Sequence, residues 1–228
     1  DVVSNPLLES GEDGEQRQNK RFRVFGNIYL QMKPIEGLTL RSQFAPQMIY
    51  KREGVYIGPD SKNSTGKAES TTADYNQTLY WSYVWDNQVT YDKLFGLHHL
   101  NLSFVQSIQM EEWEYSNQSA KGFSYNSLWY NLGASGLSNA TKSTTDFEKR
   151  TLASFLGRVQ YSFNERYLLT LSGRYDGSSR LAAGNQWAFF PSAALAWRMS
   201  EEDFLKDFEQ LSNLKLRISY GTTGNDAV

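Results

Sequence analysis

The chain has 228 residues, 39% hydrophobic and 14% aromatic, which is long enough for a substantial core and favours strands over helices. Its 23 basic and 25 acidic residues are well mixed and give a formal net charge of −2, which excludes the basic footprint of a nucleic-acid-binding protein. It has no cysteine, so a disulfide scaffold and a thiolate metal site are excluded. No apolar run approaches the roughly 18 residues of a membrane-spanning helix, so any membrane role must be met by strands or a surface anchor.

The first predicted elements form a hairpin, with strands at residues 22–32 and 38–44 and a turn at 33–37. Apolar side chains alternate with polar ones along the first of these strands, which is the period expected of a half-buried strand. The polar stretch 51–74 follows, rich in Gly, Ser, Thr and Lys and without apolar periodicity, so it is predicted to be an exposed loop.

A second hairpin is predicted at residues 77–89 and 98–108, and the longest connection of the chain, 109–149, comes after it. A loop of that length would be unusual inside a compact soluble domain, whereas it is expected on the rim of a membrane barrel. Four of its aromatic residues are candidates for substrate contact: Trp113, Tyr115, Trp129 and Tyr130. The alternative is that they only hold the loop together or cap the rim.

The third hairpin, residues 151–163 and 167–175, has two chemically distinct faces. One face carries no charge: Ala153, Phe155, Gly157, Val159, Tyr161, Phe163, Tyr167, Leu169, Leu171, Gly173 and Tyr175. The other is polar: Arg158, Gln160, Ser162, Thr170, Ser172, Arg174 and Asp176. Since an arginine facing lipid costs about 2–4 kcal/mol, we expect the uncharged face to meet lipid and the arginine face to line a lumen.

A fourth unit is predicted at residues 188–198 and 214–220, with a short helix at 200–212 between them. Pro191 is expected near a strand start or a bulge, because proline donates no ladder hydrogen bond. Together these patterns predict an all-β fold. It is an antiparallel up-and-down transmembrane β-barrel segment, about eight strands of a larger barrel, with long extracellular loops and one short helix.

Three runs of residues resemble the late barrel strands of SusC/RagA-type TonB-dependent outer-membrane transporters. They are FLGRVQYSFNERYLLTLSGRYDGSSR at 155–180, NQWAFFPSAALAWR at 185–198 and LKLRISYGTTGN at 214–225. Looser matches precede them in the family's order: NPLLE at 5–9, RVFGNIYL at 23–30 and GLTLRS at 37–42. The chain is similar to a part of the C-terminal half of such a barrel.

The resemblance implies an importer in the bacterial outer membrane, with a barrel of about 22 strands and a plugged lumen surrounded by outer-membrane lipid. It implies uptake of oligosaccharides or peptides, driven by TonB and assisted by a SusD-like surface lipoprotein. On this interpretation residues 1–228 are a partial β-barrel domain, and the TonB box, the plug domain and the closing strands lie outside them.

No catalytic, cofactor or metal site is predicted. Motifs for nucleophilic catalysis, phosphate binding and zinc proteases are missing from the sequence, and His98 and His99 are neighbours on a predicted strand, so they point to opposite faces. The run Glu111, Glu112 and Glu114 is either an acidic clamp or, as we expect, a solvated loop segment.

Two rival functions stay open at this point, a soluble all-β carbohydrate-binding module and an outer-membrane barrel enzyme. A soluble module would turn its best apolar alternation inward and have similar loop lengths at both ends. The alternation of short and long connections favours the transporter.

Overall fold

The computed structural model describes residues 6–64, 66–134, 142–205 and 212–224. These residues form one antiparallel sheet of nine strands in the order β1-β3-β4-β5-β6-β7-β8-β9, with β2 also paired to β3. The strands are β1 (Glu15–Phe25), β2 (Ile28–Met32), β3 (Leu38–Ile57), β4 (Thr72–Phe95), β5 (His98–Lys121), β6 (Lys142–Phe163), β7 (Tyr167–Ser178), β8 (Trp187–Arg198) and β9 (Lys215–Gly221). The up-and-down antiparallel topology predicted from the sequence is confirmed.

In the part of the chain that the structure describes, helical structure is confined to short segments. They are the α-helix α1 (Pro6–Glu9) and the 3₁₀ turns Ala68–Ser70, Leu132–Ala134 and Met199–Glu201. No helix among the described residues combines the length and hydropathy needed to cross a membrane. Of the helix predicted at 200–212, the described residues 200–205 contain only the end of the last of these turns, and residues 206–211 lie outside the described part of the chain.

The first predicted strand is interrupted. Its residues belong to β1 and β2, which pair with successive parts of β3 on either side of Gly26. The register places Pro46 opposite this break, and the Gly26 N–H donates to the Pro46 carbonyl at 3.0 Å. Since proline has no N–H to donate in return, the ladder cannot continue there.

Four strands are longer than the sequence pattern predicted. β3 has 20 residues, β4 and β5 have 24 each and β6 has 22, whereas about 9–11 residues suffice to cross a membrane. The predicted boundaries of the loops 51–74 and 109–149 are therefore wrong, because the strands on both sides of each loop extend into it. The remaining connections are 58–71 and 122–141, and residues 135–141 lie outside the described part.

The register of β6 to β9 confirms the two predicted sets of side chains. Across β6 and β7, Phe155 is opposite Tyr175 and Val159 is opposite Leu171. The uncharged set, here called the apolar face, continues over β8 and β9 with Trp187, Phe189, Pro191, Ala193, Leu195, Trp197, Leu216, Ile218 and Tyr220. The other set, the polar face, continues with Ala188, Phe190, Ser192, Ala194, Ala196, Arg198, Lys215, Arg217, Ser219 and Gly221.

Pro191 lies inside β8, not at a strand start, and its register with Gly173 of β7 is continuous. Its carbonyl accepts a hydrogen bond from the Thr222 N–H at 3.1 Å, so its nitrogen also faces the β9 side. The β8–β9 ladder ends at the neighbouring pair Ser192 and Gly221. The missing proline N–H is tolerated because it falls just beyond the last paired residue of β9.

The chain divides into two compact units. The loop unit comprises residues 1–25, 47–82 and 111–149, and the sheet unit comprises residues 26–46, 83–110 and 150–228. All the buried hydrophobic residues found in the described part of the chain belong to the loop unit: Tyr56, Ala73, Ala120, Phe123, Trp129 and Leu132. In the sheet unit the large apolar side chains are partly or largely exposed.

Candidate functional site

Trp113 and Tyr115, predicted as loop residues, lie in β5 and form part of a side-chain cluster with β4. The Trp113 ring packs on the Tyr80 ring with centroids 4.9 Å apart, and the Tyr80 hydroxyl donates to Glu111 at 3.3 Å. Further along, the Tyr115 hydroxyl donates to Asn76 Oδ1 at 3.2 Å. We call Asn76, Tyr80, Glu111, Trp113, Tyr115 and Asn117 the β4–β5 cluster; the Asn117 amide also bonds to Asn76.

The β4–β5 cluster joins side chains of two neighbouring strands of the sheet. Because side chains alternate along a strand, Asn76 and Tyr80 point to one side of β4 and Trp81 points to the other. The two rings are tilted by 47° to each other, and with the flanking amide and carboxylate groups they combine apolar surface with polar groups.

Asp74 lies just beyond the cluster, two residues from Asn76 in β4. Burial raises the pKa of the Asp74 carboxyl, and the positive charge of Lys121 opposes that effect. The carboxylate is thus less well solvated than an ordinary surface aspartate.

Trp129 is part of a core and not of an open binding surface. Its side chain is 5% exposed, and Gly54 of β3 lies directly beneath its indole ring. A Cβ atom added to Gly54 would lie 2.1 Å from the ring. Tyr130, whose ring centroid is 5.4 Å from that of Trp129, is 63% exposed. The geometry favours the alternative in which Trp129 holds the loop together. Of Trp129 and Tyr130, only Tyr130 is accessible to a ligand.

The predicted solvated loop at Glu111, Glu112 and Glu114 is also corrected, because all three residues are in β5. Glu111 accepts the Tyr80 hydrogen bond, whereas Glu112 forms an ion pair with Lys149 at 2.6 Å. As neighbours on a strand they point to opposite faces, so they do not form a clamp together.

The two histidines make separate contacts. His98 Nδ1 is 2.7 Å from the Tyr161 hydroxyl, and His99 Nε2 is 3.1 Å from the carboxylate of Asp92. The part of the chain that the structure describes contains no group of three His, Cys, Asp or Glu residues that could hold a metal ion.

A further candidate site, missed by the sequence analysis, is a cavity of about 850 Å³ on the polar face of β6 to β9. Arg158 and Arg174 line it together with Phe190. Arg174 Nε donates to both oxygens of Asp176 at 2.7 and 2.8 Å, and its Nη2 donates to Ser154 at 3.3 Å. Its guanidinium is therefore held in a fixed orientation.

One side of this cavity is formed by residues 221–224, which follow β9. The Thr222 N–H bonds to the Pro191 carbonyl, and Gly224 lies against the Phe190 ring, where an added Cβ would be 2.3 Å from a ring carbon. Strand alternation predicted that the two arginines share one face of the sheet. It contains no information on the close approach of Gly224 to the Phe190 ring. The glycines of the G-T-T-G sequence at 221–224 were the available signal.

At the opposite end of β7 and β8, Glu202 fixes the connection that follows β8. Its carboxylate accepts hydrogen bonds from the Tyr167 hydroxyl at 2.6 Å, Trp197 Nε1 at 2.9 Å and Arg166 Nη1 at 3.1 Å. The Tyr167 and Trp197 hydrogen bonds, followed by the charge of Arg166, lower the pKa of the Glu202 carboxyl. The Tyr167 and Trp197 rings stack with centroids 6.4 Å apart.

Comparison with known proteins places these features in a family. Residues 11–226 match the family described as TonB dependent receptor-like, beta-barrel. TonB-dependent receptor P3 of Formosa agariphila is 31% identical over 232 residues, which cover 100% of this chain and 22% of that protein. TonB-dependent receptor SusC of Bacteroides thetaiotaomicron is 34% identical over 153 residues, covering 64% of this chain and 15% of SusC. The chain thus spans less than a quarter of the length of these relatives.

A solved structure described as the RagAB peptide transporter superposes on 94% of this chain and 24% of its own chain, with a TM-score of 0.83 and 24% sequence identity. This likeness confirms the fold, an up-and-down antiparallel sheet. The names of these proteins are those of receptors and of a transporter, and not of enzymes. The resemblance to SusC/RagA-type proteins is confirmed, and the chain belongs to the TonB-dependent receptor β-barrel family of the bacterial outer membrane.

Proposed function

We propose that this chain is a wall and rim segment of an outer-membrane importer that takes up large nutrients, such as oligosaccharides or peptides, and is driven by TonB. The observation that carries the proposal is the uncharged apolar face that runs without interruption across β6, β7, β8 and β9. A sheet with this face toward lipid and an arginine-bearing face toward the interior has the design of a barrel wall.

The spacing of aromatic rings supports the lipid assignment of the apolar face. Trp187 and Trp197 lie at the two ends of this face of β8, and they stack on Tyr175 and Tyr167 respectively. Ten residues of strand span about 33 Å, which at a tilt near 40° corresponds to about 25 Å of depth. That is the height of the apolar band between the aromatic girdles of outer-membrane barrels.

We propose that the longer connections and the extended ends of β3 to β6 are outside the cell, because barrels of this kind have short periplasmic turns. The β4–β5 cluster lies toward this end of the two strands. Trp113 and Tyr115 there, with the exposed Tyr130, are the aromatic residues that we assign to substrate contact.

The proposed partner at the outer rim is a SusD-like surface lipoprotein, which the resemblance to SusC/RagA-type transporters implies. The proposal also assigns the force for import to TonB. No catalytic step is assigned to the chain, and on this proposal the imported compounds pass through the transporter chemically unchanged.

A soluble carbohydrate-binding module is the weaker alternative. Such a module would bury its best apolar alternation, whereas Leu195 and Ile218 on the apolar face are 61% and 68% exposed. A continuous apolar surface of this kind requires an apolar environment or a covering partner.

The importer proposal is tested in the source bacterium with the complete transporter. Wild-type, transporter-deletion and TonB-deficient strains are fed mixed pools of oligosaccharides and of peptides, under conditions that induce the transporter. Depletion of each compound is followed by mass spectrometry. We expect one set of compounds to persist in both mutant cultures. A deletion strain that depletes every compound at the wild-type rate would contradict the proposal.

A further inference from the structure

We propose that the cavity on the polar face of β6 to β9 binds an anionic group of the imported substrate, a carboxylate or a sulfate, through Arg158 and Arg174. This inference rests on the proposed importer function, because it treats the polar face as the substrate path. It adds the chemical class of the substrate, which neither the fold nor the family specifies.

The charge of the polar face is strongly one-sided. Within the paired segments of β6 to β9 it carries five basic residues and one acidic residue, Asp176, while the apolar face carries none of either sign. The five are Arg158, Arg174, Arg198, Lys215 and Arg217. The chain as a whole is slightly acidic, with a net charge of −2, so this local excess does not follow from composition. A concave surface of one sign concentrates ligands of the opposite sign.

The two cavity arginines are placed to act on one ligand. Arg158 is opposite Ser172 in the β6–β7 register, two positions along from Arg174, so the arginines are diagonal neighbours on one face. Diagonal neighbours are about 7–8 Å apart, which long side chains bridge. The Ser172 and Ser192 hydroxyls, 2.6 Å from each other, lie in the same cavity and supply further polar groups.

The two arginines differ in how many of their guanidinium N–H groups already have partners in the protein. Arg174 is oriented by Asp176 and Ser154, which leaves other N–H groups of its guanidinium without a partner among the described residues. Arg158 is exposed and makes no ion pair within the described part of the chain. Arg174 already balances the negative charge of Asp176. Arg158 is therefore a second positive charge, and no acidic side chain among the described residues neutralises it.

The cavity chemistry fits an acidic sugar or an acidic peptide. A guanidinium donates two parallel hydrogen bonds to a carboxylate or a sulfate, and it remains charged at any physiological pH. The cavity volume of about 850 Å³ is within the range of ligand sites. The Phe190 ring adds an apolar surface beside the arginines.

The test uses the purified full-length transporter in detergent and four probes: hexagalacturonate, hexa-aspartate, and the neutral controls maltohexaose and hexaglycine. Binding is measured by calorimetry at low and physiological salt. We expect one anionic probe to bind at least tenfold more tightly than its neutral control, and Arg158→Gln to weaken it by about tenfold, the usual effect of a charge-assisted hydrogen bond. Lys20→Gln, which removes an exposed positive charge from β1, is the matched control and should leave binding unchanged.

The outcomes separate the sources of the anion and the two proposals. Tight binding of hexagalacturonate alone assigns an acidic glycan, and binding of hexa-aspartate alone assigns an acidic peptide. Neutral probes that bind as well as both anions, or equal binding by the Arg158→Gln and Lys20→Gln variants, would overturn the inference. If TonB-dependent import persists in that case, the importer proposal stands alone. Arg158-dependent binding without TonB-dependent import would support the anion site and contradict the importer proposal.

Discussion

The two units of the chain use their apolar residues in opposite ways. The described residues of the loop unit include six buried hydrophobic ones, with Trp129 and Phe123 of the long connection packed against residues of three strands. The sheet unit has no buried hydrophobic residue among those described, and Ile218 and Tyr220 are 68% and 75% exposed. The loop unit therefore makes its own core, as a protein in water must, whereas the sheet unit depends on an apolar environment that the chain does not supply.

The largest expected effect comes from a charge on the apolar face. Leu171→Arg in the full transporter should strongly reduce the yield of folded protein in the outer membrane, because an arginine at mid-membrane costs about 2–4 kcal/mol. The neighbouring change Ser172→Arg adds the same side chain to the polar face and should be tolerated. Immunoblots for the heat-modifiable folded form measure both variants. Equal yields would contradict the assignment of the two faces.

In the loop unit the sensitive property is packing and not charge. Gly54→Ala places a methyl group 2.1 Å from the Trp129 ring, so the ring must move, at a cost of about 1–3 kcal/mol. We expect faster protease cleavage in the connection 122–134 on intact cells, with unchanged insertion in the membrane.

Gly133→Ala is the matched control, since a Cβ there approaches only the Asn131 side chain, at 3.9 Å. Identical cleavage of the Gly54→Ala and Gly133→Ala variants would mean that Trp129 does not hold the connection in place. A loss of membrane insertion in Gly54→Ala would show that the core of the loop unit is also needed by the sheet.

A smaller effect is expected at the β4–β5 cluster. Trp113→Ala removes the ring that packs on Tyr80, and it should reduce the uptake rate of the transported compound by about three- to tenfold, the worth of an aromatic contact. Trp81→Ala removes a ring from the opposite side of the same hairpin and serves as control. The proposed substrate contact would be wrong if both variants transported at the same rate.

The sheet unit could be predicted from the sequence better than the loop unit. Strands β7, β8 and β9 were predicted to within three residues of their observed ends, because their period-two alternation sets an uncharged face against a polar one. The extended part of β5 lacks that signal, since Glu112 and Glu114 occupy the side that bears apolar residues nearer the turn.

Features that depend on residues distant in sequence were missed. The interruption between β1 and β2 depends on Pro46 in the partner strand, and the burial of Trp129 depends on Gly54. The cavity arginines were predicted to share a face, but the approach of residues 221–224 to Phe190 was not. Alternation along one strand predicts which way a side chain points, and it does not predict what packs above it.

The smallest expected effect is electrostatic and concerns the connection after β8. The pKa of Glu202 is lowered in the folded protein, so the carboxylate contributes stability above its ordinary pKa, near 4.5, and that contribution is lost as the pH falls through the lowered value. Protonation removes an acceptor from Trp197 Nε1, and the indole N–H resonance of Trp197 in the labelled transporter should shift on acidification. Glu202→Gln should abolish this titration, while Glu201→Gln, at the neighbouring position that ends the 3₁₀ turn, should preserve it. A Trp197 resonance that titrates equally in both variants would mean that the connection is held by some other group.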